Sequence, residues 1–136
     1  MSKLVQLKDS EGNIYPKIRD VYSYSEIKTN KIYIDENGKE WNIYRKRKKS
    51  GYLLNNDTSI INMGVSNIKK IIDFKIIASN DNGSMVFKIP FIGTDNMFNN
   101  GKIGTRIYNN EIYIRPTFDA RSYFVDITLE YTKTSN

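Results

Sequence analysis

The sequence predicts an all-β protein, an antiparallel β-sandwich with an N-terminal hairpin layer and little helix. The apolar residues recur at every second position, as they do along a half-buried strand. The apolar runs are punctuated by acidic or Asn residues leading into Gly, the chemistry of tight hairpin turns. They also follow one another too closely to leave room for helices, which favours two packed sheets. The last segment is the clearest. Tyr123, Val125, Ile127, Leu129 and Tyr131 alternate with Phe124, Asp126, Thr128 and Glu130.

Taken in order, strands are expected near 3–8 and 14–22, separated by the turn Ser10-Glu11-Gly12-Asn13. A hairpin of 31–35 with 39–48 turns at Asn37-Gly38, and 58–63 follows. Between Val65 and Ile77 the signals compete: Ile68, Ile71 and Ile72 have helical spacing, whereas Phe74 to Ile77 reads as strand. The expectation is one helical turn at 65–69 feeding a strand at 70–79. Asp81-Asn82-Gly83-Ser84 turns the chain into 85–91, and Asn99-Asn100-Gly101-Lys102 turns it into 102–108. Asn109-Asn110 then leads to 111–117, and 123–132 closes the series. Pro16, Pro90 and Pro116 lie near run ends, where a missing ladder donor is tolerated. The 136 residues suit one domain. Within it, 1–50 forms a hairpin layer or attachment arm and 51–136 the sandwich core.

The chain has no Cys and no His. Disulfides, thiolate nucleophiles, imidazole bases and the common transition-metal sites are therefore excluded. No run is long and apolar enough for a membrane span, and the first residues alternate instead of forming an export signal. The net charge is +6, of which Arg45, Lys46, Arg47, Lys48 and Lys49 supply +5. The positive charge is thus one strip on a nearly neutral body.

As a strand, that strip places Arg45, Arg47 and Lys49 on one face and Tyr44, Lys46 and Lys48 on the other. It can bind an anionic polymer, or it can be a Lys-rich strand end that resists edge pairing. No nucleic-acid motif accompanies it. Asp35-Glu36-Asn37-Gly38 and Asp81-Asn82-Gly83 resemble pieces of a calcium loop, but both sit where a hairpin must turn, so turn chemistry accounts for them. Asp119 with Asp126, and Glu111 with Glu130, are the carboxylates that could pair for glycoside cleavage, a matter of spatial separation. Among the aromatics, Tyr123 and Tyr131 belong to the apolar row of the last strand. Trp41, Tyr44, Tyr108 and Tyr113 are read as the exposed ones, facing away from the isoleucines of their strands and suited to recognition.

Four segments resemble a known family. Gln6-Leu7-Lys8-Asp9-Ser10-Glu11-Gly12-Asn13-Ile14-Tyr15-Pro16 is similar to a segment of tail-fibre and minor structural proteins of phages that infect low-GC Gram-positive bacteria. Gly38-Lys39 with Ile43-Tyr44-Arg45-Lys46, Gly64-Val65-Ser66-Asn67-Ile68, and Asp119 to Lys133 resemble the C-terminal head domain of those proteins. The closing Leu129-Glu130-Tyr131-Thr132-Lys133 is the most specific piece. Met63 stands where family members often carry His, so no imidazole role carries over. The resemblance implies a virion component of phage or prophage, assembled in the bacterial cytoplasm. It would be a β-rich, homotrimeric tip domain that touches the host surface and neighbouring tail proteins.

The expected function is therefore non-enzymatic binding of a host cell-wall polymer, of glycan or teichoic-acid type, without cofactor or metal. Trp41, Tyr44, Arg45, Arg47, Tyr108, Tyr113 and Arg115 are the expected ligand-binding residues. The alternatives are a structural tail-assembly subunit without a receptor, and a small basic domain that binds nucleic acid.

Overall fold

A computed structural model describes residues 24–93 and 101–135. Its nine strands are β1 (Ile27–Ile34), β2 (Glu40–Tyr52), β3 (Ser59–Asn62), β4 (Ile68–Ser79), β5 (Val86–Ile89), β6 (Phe91–Ile92), β7 (Lys102–Tyr108), β8 (Glu111–Pro116) and β9 (Phe124–Lys133). They form two antiparallel sheets, one of order β1-β2-β9-β4-β5 and one of order β3-β8-β7-β6. The all-β sandwich expected from the alternation is what the chain forms, with no helix among the described residues. The strands predicted at 3–8 and 14–22, the turn at Ser10–Asn13, Pro16 and the pair Asn99-Asn100 lie outside the described residues.

The hairpin at Asn37-Gly38 forms as expected. Asp35 directs it: its N–H donates to the Lys39 carbonyl at 3.0 Å, and its Oδ1 accepts the N–H groups of Asn37 and Lys39, each at 2.9 Å. Gly38 sits at φ +80°, where an L side chain would be strained. These acidic oxygens are occupied by the turn, in line with the turn reading of that fragment. β2 continues past its β1 partners, which end at Arg45, and pairs with β9 from Tyr44 to Tyr52. The hairpin thus extends the larger sheet. Lys46 to Lys49 fall where β2 is bonded on one side only among the described residues, a position at which charge discourages further pairing.

Two sequence expectations need correction. No helical turn forms at 65–69; the segment is irregular, with Asn67 at φ +62°, and enters β4 at Ile68. Two bulges explain the false helical signal. Along β9 the partners of Ile68 and Lys70 are Lys133 and Thr132, and those of Ile71 and Asp73 are Tyr131 and Glu130. Each bulge adds one residue to β4, so Ile68 and Ile71, three apart, both pack on the core. The run 85–91 is also two strands and not one. β5 belongs to the larger sheet and β6 to the smaller, with the cis Ile89–Pro90 bond between them.

The core lies between the sheets. Val125, Ile127, Leu129 and Tyr131 of β9 are fully buried, as their alternation predicted, against Ile103, Ile112 and Ile114 of the smaller sheet and Met63 before β4. Backbone bonds from Leu53 to Tyr123, Ala120 to Leu54 and Asn56 to Phe118 tie the β2–β3 and β8–β9 connections together at one end. Each sheet therefore keeps one outward face, and both are held on a rigid frame.

Candidate functional site

The outward face of the larger sheet is built from the polar rows of β2, β9 and β4. Arg45 and Arg47 leave β2 on this side, while Tyr44, opposite Tyr131, points inward, which is the split the alternation predicted. Arg45 lies across from Glu130, one of the few buried charged residues. Glu130 accepts Arg45 Nε at 3.0 Å and Nη2 at 2.7 Å, and Lys31 Nζ at 3.2 Å on each oxygen. Burial alone pushes the Glu130 carboxyl up, but the hydrogen bonds from Arg45 and Lys31 more than offset it and leave it below the usual glutamate range.

Four residues earlier on β9, Asp126 accepts the Tyr24 hydroxyl at 2.6 Å and Arg47 Nη2 at 3.3 Å. The Arg47 guanidinium lies over the Tyr24 ring, 4.3 Å from its centre. The chain before β1 bonds to the sheet on both of its faces here. Tyr24 sits on the outer face, and Glu26 reaches the inner one, where it accepts the Tyr131 hydroxyl and Lys133 Nζ. Lys31, Arg45, Arg47, Asp126 and Glu130 line an open groove of about 720 Å³, with Lys75, Thr128, Phe74 and Phe124 along its floor and wall. It presents donors and acceptors side by side, each charge largely answered by its neighbour.

The outward face of the smaller sheet is different. Tyr113 of β8 lies between Arg106 of β7 and Ile60 of β3, and the Arg106 guanidinium covers its ring at 4.5 Å. The Tyr113 hydroxyl donates to Glu111. Tyr108 is 66% exposed. Arg115 donates to the Asn56 carbonyl at 3.1 Å and lies 3.9 Å from Asp57.

The seven residues expected to bind ligand therefore do not converge. Arg45 and Arg47 share the groove, whereas Tyr108, Tyr113 and Arg115 share the opposite face. Two were misjudged for exposure. Trp41 is buried, in the same row as Ile43; its indole N–H donates to Asp35 at 2.9 Å, and Lys39 and Lys69 cover its ring. Tyr44 is half-buried on the core side, stacked with Tyr131 at 6.3 Å between ring centres. Sequence reasoning singled out Glu130 and Asp126 only as possible catalytic acids, and it passed over Tyr24, Lys31 and Lys75. Their sole sequence signal is the polar row they occupy.

Among the described residues no cluster of acidic side chains is placed to hold a metal ion, and no helix is long and apolar enough to cross a membrane. No family model, no curated protein and no solved structure matches the chain.

Proposed function

We propose that the chain is a non-enzymatic recognition module that binds a cell-surface glycan in the groove of the larger sheet, as part of a phage or prophage tail. The carrying observation is the double cluster Lys31–Glu130–Arg45 and Tyr24–Asp126–Arg47 along one groove. Sugar hydroxyls both donate and accept, and planar guanidinium–carboxylate pairs offer both functions at fixed spacing. Phe74 and Phe124, which line the groove, add apolar surface for the sugar's C–H side. A polyanion would have to displace Glu130 and Asp126 from the arginines, so the ligand in this groove is taken to be uncharged. Glu130, held ionised by two cations, suits an acceptor and is a poor proton donor, which speaks against glycoside cleavage. The phage assignment is supported by the resemblance of the segments that form the β1–β2 hairpin and β9.

Retention on purified host cell walls tests this. Arg47→Ala and Asp126→Ala are expected to weaken retention about tenfold each, with wild-type retention nearly constant from low to high salt. Equal retention by both variants would remove the groove. Steep loss with salt would instead indicate a charged polymer.

A structural role in the tail has its own support. Ile32 and Ile34 on the edge strand β1 are 52% and 61% exposed, more apolar surface than a lone edge strand usually shows. Assembly through this edge predicts a trimeric mass by light scattering at micromolar concentration, reduced by Ile34→Lys. A monomeric wild type would contradict it.

A further inference from the structure

We propose that the outward face of the smaller sheet carries a second site, a notch at Gly104 that binds a phosphate group carried on a larger, non-aromatic ligand. The argument is independent of the groove, which lies on the opposite face. Lys102, Gly104 and Arg106 all point outward from β7, and all are exposed. Arg115 lies directly across from Gly104 on β8. The glycine is thus ringed by three cations, two along its own strand at about 7 Å and one across the ladder at about 5 Å. A Cβ built on Gly104 would meet nothing within 4 Å, so the centre of the ring is open.

The charges here are less answered than in the groove. Neither Lys102 nor Arg106 forms an ion pair among the described residues. Arg106 makes a cation–π contact with Tyr113. Arg115 donates to the Asn56 carbonyl at 3.1 Å and to Thr58 Oγ1 at 3.4 Å, and Asp57 lies 3.9 Å from it with both side chains largely exposed. Glu111, the acid nearest on β8, accepts the Tyr113 hydroxyl. A tetrahedral oxyanion in the notch would meet the Lys102 ammonium and the Arg106 guanidinium, with Arg115 adding a second fork by giving up its bonds to Asn56 and Thr58. The carrier is taken as non-aromatic because successive bases need successive open rings. Arg106 covers Tyr113, which leaves Tyr108 as the free ring on this face.

The test is amide-shift NMR titration at low salt with inorganic phosphate, glycerol phosphate and a single-stranded DNA oligonucleotide. Shifts centred on Lys102–Arg106 and Arg115 are expected with glycerol phosphate. Lys102→Ala and Arg106→Ala should each weaken binding about fivefold. Gly104→Glu should abolish it, and because the added side chain enters open space the fold should be kept, as the amide spectrum will show. Shifts that persist unchanged in Gly104→Glu, or no shifts with any phosphate probe, would overturn the site. Tighter binding to DNA that is lost in Tyr108→Ala would overturn the non-aromatic carrier and assign a nucleic-acid backbone.

Discussion

Glu130→Ala is expected to lower the unfolding free energy by about 3 kcal/mol, measured by urea denaturation near neutral pH. Glu130 is the anion beneath Arg45, and the two side chains are 10% and 17% exposed. Removing the carboxylate leaves a guanidinium held under the sheet without its counter-charge, which costs more than the pair itself contributes. Lys31, 58% exposed, can turn to water and adds little to the loss. The pH dependence has a definite sign. The folded-state pKa of Glu130 lies below its ordinary value, so its stabilisation is complete above that ordinary value. It is lost as pH falls through the depressed one. The variant should therefore show a flatter acid limb than wild type. Equal stability at neutral pH would mean that the ion pair merely breaks even against its desolvation.

Tyr131→Ala is expected to cost about 4 kcal/mol, a large share of a total of ~10 kcal/mol for a domain of this size. The Tyr131 side chain is fully buried in the row that joins both sheets, stacked on Tyr44, with its hydroxyl donating to Glu26. Burial and the Glu26 carboxylate hold that hydroxyl protonated far above the ordinary tyrosine range, so it remains a donor at any pH the fold survives. Tyr131→Phe separates the two contributions. It keeps the ring and should cost only about 1–2 kcal/mol, through the lost bond and the loosened Glu26. Thermal unfolding of the pair provides the comparison; a Phe variant as damaged as the Ala variant would place the energy in the hydroxyl network instead of the packing.

Much of the fold was legible because alternation and turn chemistry are local. The β9 row and the Asn37-Gly38 hairpin could be read from adjacent residues alone. The division of the basic strip into two faces was legible for the same reason. What covers each face was not, because the pairing of Arg45 with Glu130 depends on a register between strands about 80 residues apart. Trp41 shows the limit well. Its row was misread, since it shares the row of Ile43, and the Lys39 and Lys69 chains that cover it could not be foreseen, the latter being delivered by a bulge. The division of 85–91 at Pro90 was hidden likewise, since a change of sheet leaves no mark on an apolar run.

The paired irregularities in β4 constrain how this chain can vary in length. Each inserts one unpaired residue without changing the face of its paired neighbours, so Ile68 and Ile76 both address the interior although eight positions of β4 span six of β9. Deleting Lys69 or Ile72 alone would remove one bulge and leave regular alternation, with Ile68 still opposite Lys133 and Ile71 still opposite Tyr131, so the inward row would be kept. Losing both together would give a shorter, straighter strand with the same inward row. Single deletions should accordingly be tolerated at Lys69 or Ile72, whereas losing one paired residue of β4 would turn the residues on one side of it to the wrong face.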